Sequence, residues 1–225
     1  MSWLAIIAVV LLAIALSLAT RCGNTLSLDL EATRAVQALD GQPWRGIAGT
    51  GNALGESTYA VPVAVTLLVI SIWRRDARNI VFIGLLLILR SGTSVLKEVF
   101  ESPRPTLDVA EVLETFDGFG FPSGHATTSA VALGGVAFLI ARHFPATSAR
   151  WSLAGLWLLG MVMTGYARIW VGAHWLTDVI GGSLYGIGIV LIAANISAII
   201  AAWIGEQQHR RAGVIRSCHS GRDVG

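Results

Sequence analysis

Residues 178–204 read DVIGGSLYGIGIVLIAANISAIIAAWI, and this stretch decides the fold. After Asp178 it contains no charged side chain, and it is longer than the roughly 20 apolar residues that a helix needs to cross the hydrocarbon core of a bilayer. Glycine and alanine are interspersed with Ile, Leu and Val, a mixture that permits close helix packing within lipid. The stretch therefore predicts a transmembrane helix.

Outward from this segment, the whole chain has the composition of a membrane protein. Of its 225 residues 54% are hydrophobic and 13% are charged, and the mean hydropathy is +0.65. Soluble domains carry roughly 25% charged residues, so this chain has too few charges to cover a water-exposed surface. Six apolar segments are predicted to span the membrane, at 3–20, 57–73, 79–96, 125–142, 151–169 and 178–204. We expect an all-α polytopic protein, with six transmembrane helices in one bundle and a single domain over 1–225 that ends in a polar, poorly ordered tail at 205–225.

The basic residues predict how this bundle is oriented. Loops on the cytoplasmic side of membrane proteins carry an excess of Lys and Arg. Arginine without many acidic neighbours gathers on one side, at Arg74, Arg75, Arg78, Arg142, Arg150, Arg210, Arg211, Arg216 and Arg222. We therefore expect both termini in the cytoplasm of a cell bounded by this inner (plasma) membrane. The formal net charge of +2 then reflects topology and does not indicate nucleic-acid binding.

The first loop on the opposite, outer side contains an amphipathic segment. Within residues 21–56, apolar side chains recur at helical spacing over 26–39, between charged and polar ones. This pattern predicts a helix in the outer interface. Two interpretations remain open: the helix packs over the bundle, or it forms a lid or rail for a lipid substrate.

Three short clusters of polar residues fall on this same outer side. The first is Lys97 followed after six residues by Arg104-Pro105, and the second is Phe121-Pro-Ser123-Gly124-His125 at the start of the fourth segment. The third runs from the fifth segment into the sixth, as Arg168, five residues, His174, three residues and Asp178.

The cations and the glycine of these clusters suit a phosphoryl group. Lys97, Arg104 and Arg168 come from separate segments and can balance the charge on the phosphoryl oxygens during transfer. Ser123 and Gly124 precede a predicted helix, so their backbone N–H groups can point at an anion held at the positive helix end.

The two histidines fit the two roles that such a transfer requires, namely a nucleophile that attacks phosphorus and an acid that protonates the departing oxygen. His174 and Asp178 are four residues apart, so on a helix they share a face and the carboxylate can orient the ring. That assignment makes His174 the nucleophile. His125 has no acidic residue at that spacing, which suits it better for protonating the leaving group.

The three clusters resemble the signature of the type 2 phosphatidic acid phosphatase superfamily, which includes vanadium haloperoxidases and glucose-6-phosphatase. The matching patterns are Lys-x6-Arg-Pro, Pro-Ser-Gly-His and Ser-Arg-x5-His-x3-Asp, in this order between Lys97 and Asp178. Ala167 stands where the family usually has serine. The resemblance implies a six-span membrane fold, a phosphorylated His174 oriented by Asp178, His125 as the acid, and no metal or other cofactor. It also implies that Lys97, Arg104, Ser123, Gly124 and Arg168 bind phosphate.

Several alternatives accompany these assignments. His125, His174 and Asp178 are also metal-ligand types, although three neighbouring cations disfavour a divalent ion. Arg90 lies about 10 Å deeper than Lys97 by helical rise, and either takes part in function or pairs with an acidic side chain or backbone carbonyls. Glu101 is four residues after Lys97, which predicts a structural ion pair.

The sequence thus predicts a lipid phosphatase whose site faces the periplasm or exterior. The membrane position favours a lipid phosphate as the partner. The family resemblance implies undecaprenyl diphosphate as the first expectation, with phosphatidylglycerol phosphate or phosphatidic acid next. A phosphotransferase that passes the group to a second lipid would need the same residues. A six-span transporter is the non-enzymatic alternative, but it predicts charges distributed across the membrane, whereas here they gather at one face.

Overall fold

The computed structural model describes residues 3–20, 26–144 and 146–220, with side chains described as far as residue 207. Every regular element in this part of the chain is an α-helix, as predicted. The helices are α1 (Trp3–Ala19), α2 (Ser27–Gln37), α3 (Gln42–Gly55), α4 (Ser57–Trp73), α5 (Ala77–Phe100), α6 (Gly124–His143), α7 (Thr147–Trp170) and α8 (Leu176–Ser220).

Four helices have the length and apolar composition of a membrane span, namely α5, α6, α7 and the 176–207 portion of α8. Helices α3 and α4 meet at an angle of 45° and qualify as a fifth span when they are taken as one broken element. Helix α1 is apolar but has 17 residues, about 25 Å of helix, which is short for a span. By length and composition, the described residues therefore contain four to five candidate spans, where six were predicted.

Helix α6 lies at the centre of the bundle, where it packs against α8, α7, α3, α5 and α4. Its Val131 belongs to a buried apolar cluster with Phe82 and Leu86 of α5 and with Val190 and Ala193 of α8. This cluster joins three helices that carry most of the predicted site residues at or near one end.

Small residues let α6 and α8 approach closely near those ends. A Cβ atom on Gly182 would lie 2.5 Å from the carbonyl oxygen of Ser123, and one on Gly186 would lie 2.5 Å from the Cβ of Ala130. Any larger side chain would push the helices apart, as expected where packing rather than the hydrophobic effect joins helices in lipid.

The outside of the bundle is apolar. Large hydrophobic side chains on different helices are more than half exposed, among them Leu11, Val69, Ile88, Leu159 and Trp203. Soluble monomers rarely expose contiguous apolar surface on this scale. These faces suit lipid contact, and the chain is a membrane protein.

Two elements differ from the prediction. Helix α3 occupies the second half of the outer segment 21–56, where only the amphipathic helix at 26–39 was predicted. Helix α8 continues as far as Ser220, although the tail after Ile204 was predicted to be poorly ordered. Extending an existing helix fixes one residue for each hydrogen bond gained, so a polar segment can continue a helix that it would not nucleate.

Candidate active site

The three sequence clusters meet at one end of the bundle. Lys97 lies in the last turn of α5, Ser123 and Gly124 begin α6, Arg168 lies in the last turn of α7, and His174 precedes α8. Because consecutive spans run in opposite directions, the C-terminal ends of α5 and α7 lie beside the N-terminal ends of α6 and α8. The structure therefore brings together the predicted site residues of all three clusters.

His174 is held from both sides of its ring. Its Nδ1 lies 3.2 Å from Oδ2 of Asp178, and its Nε2 lies 3.2 Å from Nη1 of Arg104. The same Oδ2 of Asp178 accepts a hydrogen bond from the backbone N–H of Trp175. His174 is 3% exposed and Asp178 is fully buried, so both groups are removed from water. The predicted pair at positions i and i+4 is present.

The surroundings of His174 favour its neutral form. Burial lowers the pKa of His174 well below its usual range, and the positive charges of Arg104, Arg168 and Lys97 lower it further. A neutral imidazole with one nitrogen bonded to a carboxylate keeps a lone pair on the other nitrogen. Nε2 can therefore act as a nucleophile, provided that Arg104 moves to another partner.

Arg104 and Lys97 are anchored by backbone carbonyls of the surrounding loops. Arg104 donates from Nε to the carbonyl of Gly118 at 3.1 Å and from Nη1 to that of Ala173 at 2.8 Å. Lys97 donates to the carbonyl of Phe119 at 3.3 Å. These bonds aim both cations at the region around His174 and leave each with further donors.

Arg168 is the most deeply buried cation of the site, with 1% of its surface exposed. Its Nη1 donates to Oδ1 of Asn52 at 2.6 Å and to Oε2 of Glu114 at 3.3 Å. The ring of Phe116 lies 4.8 Å from the guanidinium carbon of Arg168. The Nε of Arg168 is buried without a hydrogen-bond partner among the described residues. A phosphate oxygen would supply the acceptor that this guanidinium lacks.

Ser123 is the N-cap of α6. Its side chain accepts from the backbone N–H of Ala126 at 3.5 Å, and its own N–H donates to the backbone carbonyl of Asp178 at 3.0 Å. The latter bond ties the start of α6 to the first turn of α8. Gly124 follows with no side chain in the way, so the positive end of α6 points at the same region as the cations.

His125 has an acidic partner that its local sequence does not reveal. Its Nε2 lies 3.2 Å from Oε2 of Glu56, at the bend between α3 and α4. Gly55 makes this contact feasible, because a Cβ at that position would lie 2.8 Å from the Cβ of His125. The expectation that His125 lacks a carboxylate neighbour holds along the chain but not in space.

Two further expectations have definite outcomes. Arg90 donates hydrogen bonds to the hydroxyl of Thr128 at 2.7 Å and to the carbonyl of Gly124 at 3.2 Å, so it joins α5 to the first turn of α6.

The predicted ion pair between Lys97 and Glu101 is wrong, since none of the ion pairs among the described residues joins them. Glu101 instead ends α5 in a left-handed conformation, which turns its side chain away from the helical i, i+4 geometry.

Sequence reasoning missed four polar residues that contact the site. They are Asp29, Asn52, Glu56 and Glu114, and all four lie outside the three clusters, with Glu114 between the first and the second. Glu56 gave one signal, since it precedes the predicted span 57–73 on the same side as the clusters. Nothing local to Asn52 or Asp29 indicates their distant partners.

The alternative interpretation, a metal site built from His125, His174 and Asp178, finds no set of ligands in the described part of the chain. There, no group of three or more His, Cys, Asp or Glu side chains is placed to hold a metal ion. His174 and Asp178 form one pair and His125 and Glu56 another, and arginine or lysine surrounds the first of these.

Comparisons with known proteins identify the family of this chain. The PAP2 superfamily model matches residues 77–200, which contain all three clusters. The chain is 31% identical to phosphatidylglycerophosphatase B of Bacillus subtilis over 176 residues, which are 75% of this chain and 82% of that protein. It is 36% identical to an undecaprenyl-diphosphatase of Sulfolobus acidocaldarius over 83 residues, which are 36% of this chain and 34% of that protein.

Two crystal structures share the fold. A transmembrane PAP2-type phosphatidylglycerolphosphate phosphatase from Bacillus subtilis superposes with a TM-score of 0.74 at 24% identity, over 87% of this chain and 96% of that chain. LpxE from Aquifex aeolicus superposes with a TM-score of 0.56 at 24% identity, over 76% and 96% of the respective chains. The family match covers more than half of this sequence, and its residues converge on one buried, cation-rich site. The chain belongs to the PAP2 superfamily.

Proposed function

We propose that this membrane protein is a lipid phosphatase that hydrolyses a phosphomonoester or diphosphate lipid through a phosphorylated His174. One observation carries the proposal: His174 lies between the carboxylate of Asp178 and the guanidinium of Arg104, each 3.2 Å away. A buried imidazole oriented by a carboxylate beside phosphate-binding cations has the parts that nucleophilic transfer of a phosphoryl group requires.

In the first step, the phosphoryl oxygens bind Lys97, Arg104, Arg168 and the N–H groups at the start of α6. Arg104 exchanges its contact with His174 for a phosphate oxygen, which frees the lone pair on Nε2. This lone pair forms the P–N bond as the bond from phosphorus to the lipid oxygen breaks, and His125 gives a proton to that oxygen. Asp178 stabilises the positive charge that develops on the His174 ring.

In the second step, water replaces the departed lipid. His125, now neutral, removes a proton from this water as its oxygen attacks phosphorus. The P–N bond breaks, the electron pair returns to Nε2, and inorganic phosphate leaves. The lipid alcohol or lipid monophosphate and one phosphate are the products of one lipid and one water.

The charge balance supports a reaction without a metal ion. Lys97, Arg104 and Arg168 supply three positive charges around one phosphoryl group, the role that metal ions fill in many other phosphoryl-transfer sites. Arg104 contacts Nε2 of His174, and Lys97 and Arg168 lie in the last turns of α5 and α7 at the same end of the bundle.

An apolar groove beside the site favours a lipid over a soluble ester. It lies between α4, α5 and α6 and is lined mostly by apolar side chains. Ser57, Arg90 and Thr128 line one end, one helical turn from His125, and Leu139 lines the other. The distance from Thr128 to Leu139 along α6 is about 16 Å by helical rise, enough for a sizeable part of an acyl or isoprenyl chain.

Two relatives name the substrate candidates. Undecaprenyl diphosphate is the first that we propose, and an undecaprenyl-diphosphatase is similar over 83 residues. Phosphatidylglycerol phosphate is the second, and it is favoured by the phosphatidylglycerophosphatase that matches 75% of this chain. Phosphatidic acid follows by its chemistry alone.

We infer that the site faces the periplasm or exterior. Arg74, Arg75 and Arg78 lie at the opposite end of the helices from the site, and such arginine-rich loops are cytoplasmic in most membrane proteins. In this arrangement α1, the broken α3–α4 pair, α5, α6, α7 and α8 form six spans of one domain, with both termini in the cytoplasm.

The decisive experiment uses purified protein in detergent with each of the three lipids. We expect release of inorganic phosphate together with the dephosphorylated lipid, and different kcat/KM values rank the substrates. If the phosphate instead appears on an added acceptor lipid, the protein is a phosphotransferase. If no lipid phosphate is consumed, the proposed function is wrong.

A further inference from the structure

Helix α3 and the C-cap residue that follows it place two polar side chains in the site from outside the segment that matches the family. Asn52 lies 2.6 Å from Arg168, and Glu56 lies 3.2 Å from His125. The family match begins at residue 77, so neither residue belongs to it. Asn52 lies in the last turn of α3, and Glu56 is the C-cap that directly follows the helix.

The backbone of α3 is built for this contact. A Cβ on Gly51 would lie 2.0 Å from the carbonyl oxygen of Met163, and the hydroxyl of Thr164 donates to the carbonyl of Gly51 at 3.0 Å. Gly55 similarly admits His125 at a distance that no side chain would allow. The helix thus lies directly on α6 and α7, and it bends by 45° into α4 where Glu56 leaves it.

We propose that Glu56 is a positioning residue for His125, the counterpart of Asp178 for His174. The inference rests on the proposed function, in which His125 protonates the leaving oxygen. A carboxylate at Nε2 fixes the ring orientation and stabilises the doubly protonated imidazole. It leaves Nδ1, which makes no hydrogen bond within the described residues, as the nitrogen that gives its proton to the lipid oxygen.

The partial exposure of Glu56 fits a role in the reaction better than a purely structural ion pair with His125. Its side chain is 38% exposed and that of His125 is 20% exposed, whereas the Asp178–His174 pair is buried. The acid of the first step must later contact water, because it deprotonates the nucleophile of the second step. The Glu56–His125 pair has that access.

The test compares substrates whose leaving groups differ in their need for a proton. An alkoxide leaving from phosphatidylglycerol phosphate needs one, whereas the phenolate leaving from p-nitrophenyl phosphate departs without it. We expect Glu56→Gln to lower kcat on the lipid by about 10-fold to 100-fold, the range of a weakened general acid, and on the aryl phosphate by less than about threefold. Glu56→Asp should fall between Glu56→Gln and wild type.

Matched variants separate positioning from folding. Asn52→Ala removes the other contact of the same segment, so it should lower the rate on both substrates by a similar factor through Arg168. Glu98→Gln, an exposed acidic residue near the end of α5, should leave both rates unchanged. Each variant is used only if its melting temperature in detergent stays near that of wild type.

A double-mutant cycle with His125→Ala gives an independent readout on either candidate lipid. If Glu56 acts through His125, adding Glu56→Gln to His125→Ala should cause little further loss. Two results would overturn the inference while the proposed function stands. One is that Glu56→Gln lowers kcat by the same factor on the lipid and on the aryl phosphate. The other is that the losses caused by Glu56→Gln and His125→Ala are fully additive in the double variant. If His125→Ala lowers kcat by the same factor on the lipid and on the aryl phosphate, His125 is not the acid of the proposed function. The inference about Glu56 then fails as well.

Discussion

Oδ2 of Asp178 lies 3.2 Å from Nδ1 of His174 and accepts a second hydrogen bond from the N–H of Trp175. The carboxylate thus fixes the histidine ring and the start of α8 together, and its other oxygen, Oδ1, is buried without a partner. Asp178 thus holds the His174 ring at Nδ1, while Arg104 contacts it at Nε2.

We therefore predict that Asp178→Asn lowers kcat by about 10²-fold to 10⁴-fold, as a lost orienting carboxylate does in other imidazole-based sites. His174→Ala should abolish turnover. Radiolabelled phosphate from a labelled lipid should be trapped on wild-type protein quenched in alkaline detergent, and the label should be absent from His174→Ala. Label retained by that variant would place the nucleophile elsewhere.

Metal removal should not inactivate the protein, because in the proposed mechanism three cationic side chains balance the phosphoryl charge. We expect phosphate release to persist in excess EDTA. Orthovanadate, which can adopt the five-coordinate geometry of phosphoryl transfer, should inhibit competitively with the lipid. Loss of activity in EDTA with recovery on adding zinc or magnesium would contradict the mechanism.

The pH dependence follows from the lowered pKa of His174. In the proposed mechanism the neutral ring is the nucleophile, and its protonation begins only as the pH falls toward the folded-state pKa. Because that pKa lies well below the usual value of 6.5, the acidic limb of kcat/KM should also lie well below pH 6.5. The position of this limb is measured from initial rates on a fixed lipid substrate.

Arg104→Gln provides the control for this profile. Removing one of the charges that lower the pKa of His174 should move the acidic limb toward higher pH, apart from any loss of phosphate affinity. An acidic limb that stays in place would mean that another group limits the reaction at low pH.

Asp29 should contribute to stability because it joins α2 to the start of α8. Its carboxylate accepts from the N–H of Thr177 at 2.9 Å and from the Thr177 hydroxyl at 3.0 Å, and it is 1% exposed. Asp29→Ala would leave these donors unpaired, at a cost of about 1–3 kcal/mol. Melting curves in detergent should show a lower midpoint for Asp29→Ala than for Glu31→Gln, an exposed change on the same helix.

Topology can be tested by cysteine labelling in cells. In a background with Cys22 and Cys218 replaced, a membrane-impermeant thiol reagent should label Ala110→Cys in intact cells, or in spheroplasts if an outer membrane intervenes. Ala146→Cys, at the other end of the bundle, should react only after the membrane is opened. The reverse pattern would contradict the proposed orientation, in which the site faces the periplasm or exterior.

The chain by itself determined the features that depend on neighbours in sequence. Apolar runs such as 178–204 specify helices because a backbone in lipid must satisfy its own hydrogen bonds. The spacing of His174 and Asp178 specifies their contact because residues four apart share a helix face. The alternation of spans then brings Lys97, Ser123 and Arg168 to one end, which is why the three clusters could be read as one phosphate site.

Only the tertiary structure decided which side chains complete the site from a distance. Glu56 is 69 residues from His125, Asn52 is 116 from Arg168, and Asp29 is 148 from Thr177. No local periodicity encodes such pairs, because they require two helix surfaces to fit. At α3 that fit depends on the absence of a side chain at Gly51 and Gly55, which lets the helix lie directly against α6 and α7.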